Sequence, residues 1–168
     1  MAKRYLRSIV SDFQTLTASA DITPIDLPVN PLSHLILTLK LTKNVAAQAT
    51  ILGNLMMAII QQITDVSVRH RGENIIQGSL QDLAVLNALL TGQPPAVGEF
   101  AQADNEEQFV SIMLSLSRKP YWHEEAFPAT QRGNLRFHMT AGAISSLYDA
   151  ALWSLEAVEL IEDEPTRF

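Results

Sequence analysis

Cysteine is absent from the 168-residue chain. Disulfide bridges, thiolate metal sites and a cysteine nucleophile are therefore excluded together, and the absence fits a chain made in a reducing cytoplasm. The composition of 47% hydrophobic and 18% charged residues is that of a folded protein. A chain of this length is sufficient for one domain with a sizeable core.

Basic residues are also few, with 12 Lys and Arg against 18 Asp and Glu and a net charge of -6. Binding to a nucleic-acid backbone depends on cations that neutralise phosphates, so we expect no direct nucleic-acid binding. The most apolar stretch, residues 45 to 63, is interrupted by glutamines and Asn54, and no continuous run of about 20 apolar residues exists. We therefore predict no transmembrane segment, and Asp12 and Gln14 likewise interrupt any signal peptide.

Motifs for catalysis and phosphate binding are missing. The seven glycines are too scattered for a phosphate-binding loop, and no Gly-x-Ser-x-Gly turn occurs. The four histidines stand on separate predicted elements without the spacing of metal ligands: His34, His70, His123 and His138. Glu124 and Glu125 are neighbours on an extended segment, so their side chains point in opposite directions. We predict no metal, no cofactor and no enzymatic activity.

Two of these histidines, His70 and His138, have arginines beside them in the sequence. Arg69, Arg71 and Arg136 are those neighbours. On alternating strands, both histidines are predicted to face outward on a solvated or intersubunit surface.

Alternating residue patterns predict strands. Every odd position from 35 to 41 is leucine, and apolar residues alternate with serines over residues 108 to 117. The partly apolar outer side of this second segment, which carries Phe109 and Met113, is expected to be covered. Shorter strands are predicted for residues 65 to 71, 135 to 140 and 151 to 160.

Helical patterns are fewer. Ser79 and Gly92 delimit a helix with an apolar stripe of Leu83, Leu86, Leu89 and Leu90. A short amphipathic helix is also predicted within residues 1 to 20. Residues 46 to 63 fit a helix or a strand, and we predict a strand after Gly53. Residues 87 to 104 are predicted to form a long loop.

The sequence therefore predicts an all-β antiparallel sandwich with one or two short helices. We expect an N-terminal helix or extended arm over residues 1 to 30, the sandwich over residues 31 to 161, and an acidic tail over residues 162 to 168. In the loop before residue 133, we predict an interface or ligand-binding surface made by Tyr121, Trp122, His123, Glu124 and Phe127.

The order of these elements resembles a known family. Five features follow one another: a proline-rich segment at 22 to 31, a strand at 35 to 42, a strand at 66 to 69 with its Gly72 turn, the segment at 78 to 87, and a serine-rich strand at 109 to 117. Over residues 22 to 160, this order is similar to the first jelly roll of the double jelly-roll major capsid proteins of tailless icosahedral viruses. The chain carries one roll where that family carries two, so either separate chains supply the rolls or this is part of a two-roll protein.

The resemblance implies a single antiparallel jelly roll that forms a capsid shell. It also implies self-association into trimers or larger capsomers through the flanks of the sandwich, the N-terminal segment and the loops at 93 to 104 and 118 to 133. A second capsid chain is a further implied partner, and the implied location is the virion, after synthesis in the host cytoplasm. Two alternatives remain open. One is a cupin-like metal enzyme, and the other is a carbohydrate- or receptor-binding jelly roll whose stacking platform is Tyr121, Trp122, His123 and Glu124.

Overall fold

A computed structural model describes residues 3–44, 55–98 and 106–162. The strands are β1 (Lys3–Thr15), β2 (Ile25–Asp26), β3 (Leu32–Lys43), β4 (Ile63–His70), β5 (Glu73–Gly78), β6 (Ala96–Val97), β7 (Glu107–Ser115), β8 (Leu135–Ala141) and β9 (Tyr148–Glu162). The helices are α1 (Leu55–Ile60), α2 (Leu80–Thr91) and a 3-10 turn at His123–Glu125.

The strands form two antiparallel sheets, one of five strands in the order β1-β9-β3-β7-β6 and one of four in the order β2-β8-β4-β5. Early strands pair with late ones: β1 with β9, β2 with β8, β3 with β7, and β4 with β5. Nested pairing of this kind is what results when one long antiparallel hairpin is rolled into a two-layer sandwich. The predicted antiparallel jelly roll with two short helices is confirmed.

The core lies between the sheets. The leucines of β3 at positions 35, 37, 39 and 41 are completely buried, as are Val110 and Ile112 of β7. Phe137 from the four-stranded sheet and Trp153 from the five-stranded sheet meet with ring centroids 6.4 Å apart. The period-two patterns of β3 and β7 therefore identified the inner face correctly.

Helix α2 begins and ends where its caps indicate. The Ser79 hydroxyl accepts a hydrogen bond from the Asp82 N–H at 3.1 Å, and Gly92 ends the helix in the left-handed conformation at φ 72°. The predicted apolar stripe is only partly correct. Leu83 packs into the core, but Leu86, Leu89 and Leu90 are exposed, because the helix instead buries Leu80, Ala84 and Asn87.

Two predicted elements are wrong. The segment predicted as an N-terminal helix is strand β1. Its register with β9 is continuous from Leu6 to Ile9, so these two residues lie on opposite faces of the strand, and both are exposed. The strand predicted after Gly53 is helix α1. Residues 45–54 lie outside the described residues.

Other boundaries also differ. The boundary predicted between residues 30 and 31 separates β2 from β3, two strands of one sandwich. Within the loop predicted for residues 87 to 104, α2 continues to Thr91 and β6 pairs with β7. The rest of that loop, residues 99–105, and the tail from residue 163 lie outside the described residues.

Candidate interface loop and assembly surfaces

The segment between β7 and β8 folds over one end of the five-stranded sheet. Its backbone is attached to β3 at two places. Leu32 and Phe127 exchange two backbone hydrogen bonds of 2.9 and 2.7 Å. The Tyr121 N–H donates to the Ser33 hydroxyl at 2.8 Å. These bonds hold the predicted loop residues in fixed positions relative to the sandwich.

Four rings form a cluster in which two residues of this loop contact two residues of the sheet. The Tyr121 ring meets His34 edge-on at 4.7 Å and Tyr5 edge-on at 5.1 Å, and His123 stacks on Tyr5 at 5.1 Å. Aromatic pairs at such distances contribute about 0.5–1.5 kcal/mol beyond the burial of their area. The cluster therefore joins the loop to both β1 and β3.

Burial shifts the pKa of two side chains in this cluster, His34 and Tyr5. His34 is only 1% exposed, and its Nδ1 lies 2.9 Å from the Ser33 hydroxyl. Burial, with a smaller contribution from the Arg7 charge, lowers the pKa of His34 to about 4. Burial, assisted by Tyr121, raises the pKa of Tyr5. His34 is therefore neutral near pH 7 and serves as a packing group.

Tyr121 adopts an unusual backbone conformation. Its φ of 62° lies in the left-handed region, which is uncommon for a residue other than glycine. The hydrogen bond to Ser33 and the contacts with His34 and Tyr5 maintain this conformation, and the side chain remains 54% exposed. The loop thus presents an aromatic residue outward from a constrained position.

The five predicted loop residues do not form one surface. Trp122 is 44% exposed, and the Lys119 ammonium lies 4.2 Å from its ring centroid. Glu124 is exposed and makes no ion pair within the described ranges. Phe127 points toward β4, where it meets His70 edge-on at 5.6 Å. The prediction that His70 faces outward is wrong, because His70 lies opposite the buried Leu135 in the strand register. Phe127 is therefore a packing residue at the opposite side of the loop from His123.

Sequence reasoning missed Tyr5 and His34 as partners of this loop. Tyr5 was assigned to a helix, and His34 precedes the leucine alternation without any local signal of an aromatic neighbour. Only the pairing of β1 and β3 with β9 brings these two residues to the same end of the sheet.

An apolar face of α2 is directed away from the sandwich. Val85, Leu86, Leu89 and Leu90 are 57, 49, 77 and 39% exposed. Asp82 is the one charged residue of this helix, and it lies in the first turn. Contiguous apolar side chains of this kind indicate an interaction surface.

The outer side of the five-stranded sheet is a second apolar surface. Ile9 and Phe13 of β1 are 69 and 42% exposed. Further along this face, the Lys40 ammonium lies 5.7 Å from the Phe13 ring centroid and 5.6 Å from that of Phe109. Lys40, which also pairs with Glu107 at 2.6 Å, is part of what covers Phe109. Ile9 and Phe13 belong to β1, whereas the α2 face adjoins β7. Strands β9 and β3 lie between β1 and β7 in the sheet.

Metal and membrane features are not found in the described part of the chain. Within residues 3–44, 55–98 and 106–162, no group of three His, Asp or Glu side chains is placed to hold a metal ion. Among those same residues, neither helix has the length and apolar character to cross a membrane.

Comparison with known proteins reveals similarity in structure alone. No family model and no curated protein matches the sequence. The solved structure of the STIV major capsid protein superposes with a TM-score of 0.62 and 14% identity, over 93% of this chain and 48% of that one. A chain of the PBCV-1 virus capsid gives 0.63 and 10%, over 96% and 43%.

The major capsid protein of bacteriophage PM2 gives a TM-score of 0.56 and 12% identity, over 96% of this chain and 52% of that one. The chain thus spans about half the length of the solved structures it matches. The predicted resemblance to double jelly-roll major capsid proteins is confirmed as a structural match. The fold of this chain is thus similar to about half of each viral major capsid protein chain that it matches.

Proposed function

We propose that this protein is a structural, shell-forming capsid subunit that associates with further copies through the sides of its jelly roll. The observation that carries the proposal is the nested strand order, which matches viral capsid proteins over more than nine-tenths of the chain. A shell requires broad contact between subunits and no reaction chemistry. A capsid subunit of this kind is located in the virion.

The positions of the apolar surfaces support this assignment. The α2 face adjoins β7, whereas Ile9 and Phe13 belong to β1 at the opposite edge of the five-stranded sheet. Two different patches on opposite sides allow head-to-tail contact, in which one patch of each subunit meets the other patch of its neighbour. Such contacts close into a ring when the rotation from one subunit to the next is a full turn divided by a whole number. A trimer or larger capsomer is the assembly expected.

The length of the matched proteins bears on the second partner. This chain spans about half of each capsid chain it matches, so a capsomer of the same plan has another jelly roll beside this one. We propose that a second copy or a different capsid chain supplies that roll. The loop at 118 to 133 and the outer face of the five-stranded sheet are the surfaces that such a neighbour would contact.

Measuring the mass of the purified protein tests the proposal. Analytical ultracentrifugation over a range of protein concentration, salt and pH should reveal trimers or larger species, and negative-stain electron microscopy should show rings or shell fragments. A protein that remains monomeric under every condition, up to concentrations of about 1 mM, would contradict self-assembly. Assembly that appears only after adding a second capsid chain would support the two-chain form.

A carbohydrate- or receptor-binding module is the second candidate function. The exposed side chains of Tyr121 and Trp122 favour it, because aromatic rings on a fixed loop stack on sugar rings. A glycan array should then give a saturable signal that Trp122→Ala abolishes. Phe127→Leu, on the packed side of the loop, is the control that should leave the signal unchanged. Equal binding by the wild type and Trp122→Ala would reject this function.

A further inference from the structure

Three arginines meet on the outer side of the four-stranded sheet. Arg69 of β4 lies directly opposite Arg136 of β8 in the strand register. Arg71 follows β4 in the turn, and its backbone N–H donates to the Asn134 carbonyl at 2.8 Å. All three line one surface depression of about 360 Å³, which His138 also lines.

The positive charge in this depression is only partly balanced. The Arg136 Nε lies 2.9 Å from the Asp26 carboxylate. Arg69 and Arg71 make no ion pair with any residue that the structure describes, and neither does the exposed Glu73 of the same turn. Like charges directly across an antiparallel pair destabilise a sheet by up to about 1 kcal/mol. A protein with a net charge of -6 thus maintains an unbalanced cationic cluster.

The backbone leaves this cluster open. Gly72 and Gly133 border the depression with φ values of 89° and 81°. A side chain at Gly133 would begin 3.7 Å from the Arg136 Nη2, so its absence keeps that guanidinium uncovered. The His138 Nδ1 is buried and has no hydrogen-bond partner within the described ranges.

We infer that this depression binds an oxyanion of the phosphate class. Guanidinium groups present planar pairs of N–H donors that match phosphate oxygens, and such charge-assisted hydrogen bonds are among the strongest in proteins. Two guanidinium groups without a counter-charge match the charge of about -1.5 to -2 on a phosphate monoester near pH 7. A single carboxylate carries half that charge and would leave one arginine unbalanced. The inference does not depend on the proposed capsid role.

Calorimetric titration with inorganic phosphate, at constant ionic strength and near neutral pH, tests the inference. Saturable binding is expected, with Arg69→Gln weakening it at least about tenfold. Arg69 is exposed, so this variant should fold. Arg118→Gln is the matched control, because it removes the same charge from a side chain that is 92% exposed and belongs to the loop after β7.

Each result decides the inference. No heat of binding up to about 10 mM phosphate, or an equal loss in both variants, would overturn it. Phosphoserine that binds more tightly than inorganic phosphate would identify a phosphate group on a larger molecule as the ligand, whereas equal affinity would indicate the free ion. Binding of a peptide of residues 156 to 168 in place of phosphate would instead identify an acidic protein segment and contradict the inference.

Discussion

His34 stands on the outer side of β3 and is still buried, because the loop that carries Tyr121 covers it. Its neutral ring contacts Ser33 and Tyr121, and the Arg7 charge contributes to the lowered pKa. The histidine can gain a proton in the unfolded chain at a higher pH than in the folded protein. The stability of the fold therefore depends on pH through this residue.

We expect the free energy of unfolding to fall by about 1–2 kcal/mol between pH 7 and pH 5 because of His34. The sign follows from the pKa of about 4 in the folded state, below the ordinary value of 6.5. The contribution is present at pH 7 and is lost as the pH falls from about 6.5 toward 4. Urea unfolding at several pH values measures it.

His34→Gln is the control for this prediction, since glutamine keeps a polar side chain without titrating. The variant should have a flatter dependence of stability on pH between 7 and 5. An identical pH dependence in the two proteins would show that other groups are responsible.

At the scale of elements, the β4–β5 hairpin depends on its two-residue turn. Arg71 and Gly72 have φ values of 52° and 89°, the paired positive values of a type I′ turn. The turn residues were recognisable in the sequence, but strand β5 was not, because Ile75 and Ile76 are adjacent and give no alternation. An edge strand buries little of either face, so its sequence carries little periodic signal.

Gly72→Ala should destabilise the protein by about 1 kcal/mol, because the alanine Cβ is sterically crowded by backbone atoms at this positive φ. Gly78→Ala, at the other end of the same strand, is the matched control. Its new methyl group would lie 3.8 Å from Leu83, an ordinary contact, so little or no loss is expected. Denaturant midpoints of the two variants test this, and equal losses would contradict the assigned turn.

Helix α2 shows the limit of periodicity in an apolar helix. Its ends follow from Ser79 and Gly92, but nearly every side chain between them is apolar, so the sequence does not indicate which face is buried. Contact with β7, β4 and β5 selects Leu80, Leu83 and Ala84. The leucines left outside become the candidate contact surface.

At the scale of the whole molecule, the proposed assembly depends on that surface. Leu89 is the most exposed of its residues at 77%. Leu89→Lys should weaken self-association by about 2 kcal/mol, roughly thirtyfold, since a leucine loses its burial and a charge must be desolvated. The monomer fold should be unaffected, because the side chain does not contribute to the core. Sedimentation velocity measures the change in association.

Thr23→Lys supplies the comparison for this variant. Thr23 is exposed and precedes β2, which is at the opposite edge of the four-stranded sheet from the β4–β5 hairpin that α2 contacts. Self-association that survives Thr23→Lys but not Leu89→Lys assigns the interface to α2. Loss in both would indicate a general effect of added charge, and loss in neither would remove α2 from the interface.

Alternation and capping are patterns of neighbouring residues, so they predicted the inner faces of β3 and β7, the ends of α2 and the class of the fold. The β1 segment was predicted as a helix because Leu6, Ile9 and Phe13 are spaced as on a helix, although all three are exposed on a strand. Three features depend on how the chain folds in space: the ring cluster around Tyr121, the exposed face of α2 and the arginine depression. The ring cluster and the arginine depression join residues from strands far apart in the chain, and the contacts of α2 with β4, β5 and β7 select which of its sides is exposed. Long-range pairing of strands leaves no local pattern in a single sequence.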